Sequence, residues 1–407
     1  MNEAIKKMRS KALAFGVLGT GATIAGYFIA GQQQFFQSWL IGFLYVFAFA
    51  CGGMGFLMIH HLAPGKWSLV LQRLHEAATR TFPLILILFI PVIMGMNDLY
   101  PWINPSAHND HVLEEVMHHK GMYLNVHDFF LRAAIYFVIW MAFAALLSRW
   151  SRQQDASRDT AEAEKLALKM RMLSGIGLVI FGLAVTFASF DWAMSVEPKW
   201  YSTVYGAMLM MAQGVATLSL FAIIAFKLAS SDKQYGSVIG AQQYHDIGNM
   251  MFAFLVLFTY LGTGELIILW SGNLPEEIEH YIIRMKDPWT QLIVGLTLLH
   301  FTLPFLIMLW KSNKRNPRRL SWIAAWLLVT SLFVYFWYLL PPLRPEPPYF
   351  HWMDFTAPIG LFGLWLFVFL GSLSKRPLLP QKDPRFPAVV AQLAGKSSGS
   401  EAVVSHG

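Results

Sequence analysis

A single carboxylate, Glu265, interrupts the apolar segment Ile247–Trp270, within the stretch TYLGTGELIILWSGNLPEE (Thr259–Glu277). About 20 apolar residues are enough to cross a bilayer, so this segment can span a membrane. Glu265 lies roughly 7–8 Å inside the Trp270 end, at about 1.5 Å per helical residue. A charge at the bilayer centre costs about 2.5–3.5 kcal/mol, and less near the edge. An acid in such a segment therefore indicates either a functional group or one that hydrogen-bonds to neighbouring helices.

Other side chains inside or near apolar segments could act together with Glu265. Proton conduction needs titratable or hydrogen-bonding groups every few ångströms. The candidate proton path consists of Glu265, His300, Asp191, His245, Asp246, Asn249 and Asp354. In this hypothesis protons enter near His245 and leave near Asp191. Asp191 and Asp354 also suit helix ends, and His300 also suits a packed side chain bonded to a backbone carbonyl.

A second polar group lies at the start of another apolar segment. Asp128 precedes Arg132 by four residues, with His127 beside it. The spacing is typical of an ion pair on one helix face, which would let Arg132 reach the headgroup layer. The alternative is the polar edge of a site for a lipid-soluble redox molecule, because a quinol head group needs a proton acceptor within hydrogen-bond reach.

The long connection Tyr100–His127 is rich in histidine and glutamate. If it is helical, His111, Glu115 and His119 share one face, a spacing that could hold zinc. The same residues suit any solvated polar helix at a membrane interface. The sequence favours this second interpretation, and we predict no metal.

Haem and disulfide chemistry are disfavoured by the number and position of the ligands. His60 and His61 lie at one end of an apolar segment, whereas His300 lies near the middle of another. A b-type haem needs paired histidines on facing helices. The only cysteine, Cys51, excludes a disulfide framework, a thiolate-bound iron–sulfur cluster and a C-x-x-C-H haem attachment.

Composition places these residues in a membrane protein. The chain is 56% hydrophobic and 14% charged, with a mean hydropathy of +0.46, whereas soluble domains carry about 25% charged residues.

The first apolar segment follows a basic start but is longer than a signal peptide's apolar region, so we expect it to be retained. Ten spans are predicted: Ala12–Ala30, Trp39–Leu62, Thr81–Leu99, Phe129–Ser148, Met172–Ala193, Ser202–Lys227, Ile247–Trp270, Trp289–Trp310, Ser321–Leu340 and Trp352–Leu373.

Basic residues fix the predicted topology. If loops alternate between two sides, one side collects 25 of the 31 lysines and arginines, including those of the loop after the second span. This asymmetry predicts that both termini are cytoplasmic, and it explains the net charge of +7 without nucleic acid. We expect an all-α integral membrane protein with a ten-helix transmembrane domain (1–374) and an extended or disordered cytoplasmic tail (375–407).

Three long motifs carry a family resemblance. They are SFDWAMSVEPKWYSTVYG (Ser189–Gly206), KGMYLNVHDFFLR (Lys120–Arg132) and LIILWSGNLPEEIEHYIIR (Leu266–Arg284). With the ten predicted spans, they resemble the NrfD-like (polysulfide-reductase-type) integral membrane subunits of bacterial alternative complex III, specifically the second such subunit. The resemblance implies two four-helix bundles plus two additional helices, located in the bacterial cytoplasmic (inner) membrane.

The resemblance also implies a function. Such a complex oxidises a quinol and passes electrons to a cytochrome c or an oxygen reductase. It implies that this chain carries no covalently bound cofactor, that quinol or quinone is the candidate ligand, and that haem and iron–sulfur clusters belong to partner subunits. The implied quinone site comprises Asp98, His127, Asp128 and Arg132.

Several partners are implied in the same way. They are a sibling NrfD-like membrane subunit, multihaem and monohaem cytochrome c subunits, an iron–sulfur/molybdopterin-type protein subunit, small membrane subunits, an oxygen reductase and lipids. The leading hypothesis is a membrane subunit without its own redox cofactor that contributes to proton translocation coupled to quinol oxidation. The alternatives are a direct quinol-binding subunit at the outer membrane face and a purely structural membrane anchor for peripheral redox subunits.

Overall fold

A computed structural model of the chain describes residues 3–108, 110–347 and 349–387, and every regular element within these ranges is helical. A π-helical turn, Thr297–Thr302, joins the thirteenth α-helix to the fourteenth. The α-helices are α1 (Glu3–Ala30), α2 (Gln32–Leu62), α3 (Lys66–Thr79), α4 (Phe82–Met94), α5 (Met96–Leu99), α6 (His111–Lys120), α7 (Val126–Asp155), α8 (Thr160–Trp192), α9 (Tyr205–Ser231), α10 (Lys233–Val238), α11 (Ala241–Gly272), α12 (Pro275–Arg284), α13 (Trp289–Leu296), α14 (Leu303–Leu309), α15 (Lys311–Arg315), α16 (Pro317–Leu343) and α17 (Met353–Leu373).

The number of membrane spans agrees with the sequence prediction. Among the described residues, nine helices are long and apolar enough to cross a membrane, one of them the continuous rod Trp289–Leu309. The pair α3 and α4, which is bent by 44° at its junction, makes a tenth candidate span. The prediction of an all-helical, multi-pass membrane protein is therefore confirmed.

Helix α3 corrects one part of the prediction. The sequence analysis placed its residues in the loop after the second span. In the structure, every side chain from Leu69 to Thr79 is buried, including Arg73 and Glu76. Glu76 accepts hydrogen bonds from Arg73 (2.9 Å) and from Ser151 of α7 (2.7 Å). These pairings keep charged residues inside the protein, where the charge pattern alone indicates a solvated loop.

Small residues bring α1 and α17 into close antiparallel contact. Gly16 faces Gly363, and Gly19 faces Gly360, where an added Cβ on Gly19 would lie 2.7 Å from the Gly360 Cα. Close approach through glycines is a common way for membrane helices to associate. Because the two helices are antiparallel, their termini Glu3 and Leu373 lie at the same end of the molecule. We call this the inner end and the opposite end the outer end, after the predicted topology.

The first part of the predicted tail packs onto the inner end. Arg376 binds Glu76 at 2.7 Å, and Arg385 lies 3.1 Å from the His60 ring nitrogen Nε2. Leu379 is buried as well. The remaining tail residues, 388–407, lie outside the described ranges.

The contact between α1 and α17 generates a prediction. Gly19→Leu should lower the free energy of unfolding by about 1–3 kcal/mol, the usual cost of forcing extra methylenes into a packed site. Gly21→Leu is the matched control, because an added Cβ there meets nothing within 4 Å. Thermal unfolding in detergent measures both variants. Equal melting temperatures for the two would contradict the proposed packing.

Candidate functional site

A cavity of about 270 Å³ lies toward the outer end, between α11, α12, α16 and the span formed by α13, the π-turn and α14. Helix α11 contacts α14 and the inner-end helix α15, while α13 packs against α16. The two spans therefore separate toward the outer end, and α12 covers the gap. Glu265 and His300, the two membrane residues that the sequence singles out, both line this cavity.

Glu265 lies between this cavity and a second one. Its side chain is buried, with the residue 9% exposed, and the hydroxyl groups of Ser202 and Tyr281 face the carboxyl group. One carboxyl oxygen, Oε1, has no hydrogen-bond partner among the described residues. Glu265 also lines an outer-end cavity of about 360 Å³ together with Tyr201 and Glu277. Both spaces lie toward the outer end of the molecule. We refer to the first, which His300 also lines, as the inner cavity, and to the second, which Tyr201 and Glu277 line, as the outer cavity.

His300 lies in the π-helical turn. Pro304 cannot donate a backbone hydrogen bond to the carbonyl four residues earlier, which is that of His300, and π-turns are frequent where the helical ladder is disturbed. The imidazole Nδ1 lies 2.7 Å from the Thr330 hydroxyl, which itself donates to the Trp326 carbonyl at 3.0 Å. Since that hydroxyl has one proton, the His300 Nδ1 donates to it. The other nitrogen, Nε2, is then a free acceptor, and it has no partner among the described residues.

A buried ion cluster borders the inner cavity. Arg284 at the end of α12 binds Glu197 (3.0 Å), the His280 carbonyl (2.8 Å) and the Tyr338 carbonyl (3.0 Å). His280 stacks on Trp200, with ring centroids 3.7 Å apart. The guanidinium group of Arg284 is thus fully engaged and contributes no free charge to the cavity.

The protonation states of this cluster follow from its contacts. Burial alone would raise the pKa of Glu197, but Arg284 and His280 outweigh burial and lower it to about 2. Burial and Arg284 together lower the pKa of His280 to about 4. Burial raises the pKa of Tyr281, so its hydroxyl remains a donor toward Glu265. At neutral pH the cluster is one carboxylate, one guanidinium and a neutral imidazole.

Two further proton-path candidates lie in ion pairs elsewhere. Asp191 binds Arg132 through two oxygens (2.9 and 2.8 Å) and also accepts from the Tyr136 hydroxyl (2.8 Å). Asp354 binds Arg344 through two oxygens (2.6 and 2.8 Å). Both carboxylates are completely buried, with 0% exposure. Their contacts join α7 to α8 and the end of α16 to α17.

The remaining proton-path candidates lie at the inner end of α11. Asp246 accepts from Gln242 at 2.8 Å, and Asn249 lies 3.4 Å from His245. Asn249 precedes Glu265 by 16 residues, which is about 24 Å along a helix. The α11 side chains between Asn249 and Thr259 are all apolar. Among the described candidates, the structure therefore brings only Glu265 and His300 to one cavity.

The implied quinone-site residues are dispersed. Arg132 turns to Asp191, 59 positions away, rather than to the expected partner Asp128. Asp128 binds Asn125 (2.9 Å) and His127 (3.0 Å) at the surface, with the His127 side chain 86% exposed. Asp98 lines a separate outer-end cavity with Arg344. These four residues do not form one enclosed site.

The histidine-rich connection forms the short helix α6. His111 lies 3.6 Å from Glu114, and both side chains are largely exposed. Within the part of the chain that the structure describes, no group of three or more His, Cys, Asp or Glu side chains could hold a metal ion.

Sequence reasoning missed the residues that α12 contributes. His280 and Arg284 are spaced i, i+4 inside the motif Leu266–Arg284, so they share one helix face. That spacing could have indicated that both point in the same direction. Nothing local indicated Glu197, because it is 87 residues from Arg284. Neither a protein-family model nor a curated protein matches this chain.

The ion cluster generates a stability prediction. Glu197→Gln should lower the free energy of unfolding at pH 7 by about 3–5 kcal/mol, because it leaves Arg284 buried without its carboxylate. Glu279→Gln on α12, the helix that carries Arg284, is the control, since that side chain is only partly buried. Thermal unfolding in detergent measures the difference.

The pH dependence follows from the two lowered pKa values. His280 has a pKa of about 4 against 6.5 when unperturbed, so its contribution to stability is lost as the pH falls from 6.5 to 4. The ionised Glu197 stabilises the folded protein fully above pH 4.5, the ordinary pKa of a glutamate. This contribution disappears as the pH falls toward 2, the pKa of Glu197 in the folded protein. The melting temperature should therefore fall in two steps, and Glu197→Gln should lack the lower one. A wild-type melting temperature that stays constant from pH 7 to 4 would contradict these assignments.

Proposed function

We propose that this protein is a membrane subunit that passes protons to the outer face through Glu265. The observation that carries the proposal is the position of the Glu265 carboxyl group between the inner and outer cavities. We further propose that the proton movement is coupled to quinol oxidation in a complex of the alternative complex III type, with the redox cofactors in partner subunits. The resemblance of the three motifs supports this second step.

A carboxyl group at this position can exchange protons on both sides. His300 lines the inner cavity, and its Nε2 has no hydrogen-bond partner among the described residues, while Ser202 and Glu265 both line the outer cavity. The hydroxyl groups of Ser202 and Tyr281 lie beside Glu265, which forms no salt bridge among the described residues. In this proposal a proton reaches the Glu265 carboxyl group from the inner cavity and leaves it toward the outer cavity. Proton transfer by a positioned acid or base is efficient at hydrogen-bond distance or through one water molecule.

The other candidates have different roles in this proposal. A proton taken up by Asp191 or Asp354 would break a buried, two-oxygen ion pair, and leaving one partner unpaired is costly. We therefore assign these two acids to holding helices together. His245, Asp246 and Asn249 remain the inner-end candidates, and the apolar stretch of α11 beyond them needs water or a partner subunit to complete the path.

The packing of the helices is compatible with an NrfD-like arrangement. One set of neighbouring spans comprises α2, α4, α7 and α8, and a second comprises α9, α11, the α13–α14 span and α16. Helices α1 and α17 pack on each other beside them. This grouping supports the proposal of two four-helix bundles with two additional helices.

Glu265→Gln tests the proposed function in the reconstituted complex. We expect the number of protons translocated per electron to fall by about tenfold or more, because general acid–base groups typically contribute at least 10²-fold to proton transfer. Quinol oxidation should continue, since Glu265 does not hold a redox cofactor in this proposal. Glu279→Gln is the control. Unchanged proton translocation in Glu265→Gln would remove this residue from the path.

A further inference from the structure

A cavity of about 240 Å³ lies at the inner end of the molecule, between α8, the end of α2 and the packed part of the tail. Polar contacts hold its walls together. His61 Nδ1 lies 2.9 Å from the Ser174 hydroxyl, which joins α2 to α8. Arg385 binds Asp383 and lies 3.1 Å from His60 Nε2, which keeps the tail against α2. Three separate parts of the chain therefore build this cavity.

The cavity lies where α8 changes from polar to apolar. Arg171 lines it and directly precedes the predicted span that begins at Met172. Glu164 also lines it, seven residues earlier, which is about 10 Å nearer the inner end on the same helix face. Leu168, Met172 and Ile176 are 56%, 66% and 71% exposed. These three side chains form an apolar stripe that runs from the cavity toward the membrane.

The charges of the cavity lie in a fixed order along α8. Asp383 balances the charge of Arg385, which binds its two carboxylate oxygens through Nε (2.7 Å) and Nη2 (2.5 Å). Arg171 and Glu164 are exposed, and neither forms an ion pair among the described residues. The cavity therefore presents one unbalanced cation beside the membrane and one unbalanced anion nearer the inner end.

This order of charges matches a zwitterionic phospholipid, in which the phosphate follows the acyl chains and the amine follows the phosphate. A guanidinium group can bind phosphate through two parallel hydrogen bonds. Arg385 can add a further donor, because Asp383 engages its Nε and Nη2 but not its Nη1. Basic pockets on this side of a membrane protein are known to bind lipid phosphates. The acid at Glu164 adds a preference for a lipid whose amine can donate hydrogen bonds.

We propose that this cavity binds the head group of phosphatidylethanolamine from the membrane leaflet at the inner end. Arg171, with Arg385, holds the phosphate, and Glu164 accepts hydrogen bonds from the ammonium group. An acyl chain lies along the stripe from Leu168 to Ile176. The bound lipid thus connects α8 to the tail. The inference is independent of the proposed function, because it uses none of the residues of the proton path.

Native mass spectrometry of the full chain, delipidated in detergent, tests the inference. The protein is titrated with phosphatidylethanolamine, phosphatidylcholine or phosphatidylglycerol of identical acyl chains. We expect the first lipid to bind about fivefold more tightly than the other two, since only its head group satisfies both Arg171 and Glu164. Arg171→Gln should raise the Kd for phosphatidylethanolamine about fivefold, the usual contribution of one basic residue near a membrane surface. Lys169→Gln is the matched control, because Lys169 is an exposed cation of α8 that does not line the cavity.

Reversing the acidic charge tests the amine contact separately. Glu164→Lys should bind phosphatidylglycerol more tightly than phosphatidylethanolamine, because the cavity then has a second unbalanced cation and no acceptor for the amine. Ala161→Lys is the control, since it adds a cation at an exposed position of α8 outside the cavity. It should keep the wild-type preference. Glu164 and Arg171 are both exposed, so their substitution removes no buried contact.

Three results would overturn the inference. Equal Kd values of the wild type for the three lipids would show that the head group is not recognised. Equal weakening in Arg171→Gln and Lys169→Gln would show a general attraction to surface charge. Displacement of the lipid by soluble glycerophosphoethanolamine at the same concentration as by the lipid itself would show that the cavity binds a free head group rather than a membrane lipid.

Discussion

The structure depends on pairing its buried arginines with acids. A buried ion that loses its partner is strongly destabilising, so arginines and acids in the interior must find each other across helices. Arg132 binds Asp191, Arg344 binds Asp354, and Arg73 and Arg376 share Glu76. These pairs tie α7 to α8, the end of α16 to α17, and the tail to α3. Together with the close glycine contact of α1 with α17, these pairs connect neighbouring spans to each other.

Because the nearby arginine is already paired, Glu265 has no ion-pair partner among the described residues. Arg284 lies beside it, but Glu197 and the carbonyls of α12 and α16 already engage that guanidinium. Glu265 is therefore a buried acid with neutral neighbours. His300 is isolated in a similar way, because Thr330 occupies one ring nitrogen and leaves the other open. The inner cavity combines an acid and a base, neither of which is held in an ion pair.

Most of the spans could be predicted from the sequence, since they depend on local hydropathy. Glu265 and His300 were also identifiable, because an isolated polar residue in an apolar segment is conspicuous. The ion pairs between distant parts of the chain could not be identified from the sequence. The i, i+4 spacing suggested Asp128 for Arg132, but tertiary packing offers the buried Asp191, where a two-oxygen bond forms in a drier environment. The burial of α3 was missed for the same reason, since its charges are satisfied by Ser151 and Arg376, which are distant in sequence.

An acid without a salt bridge differs chemically from the paired acids. Asp191 and Asp354 can gain a proton only by giving up a buried arginine, so their charge state is fixed by structure. The hydroxyl groups of Ser202 and Tyr281 lie beside Glu265, so a change in its protonation breaks no ion pair among the described residues. Its side chain lies between the inner cavity and the outer cavity. Among the buried acids described, it combines a changeable protonation state with access from two directions, which is what a proton relay requires.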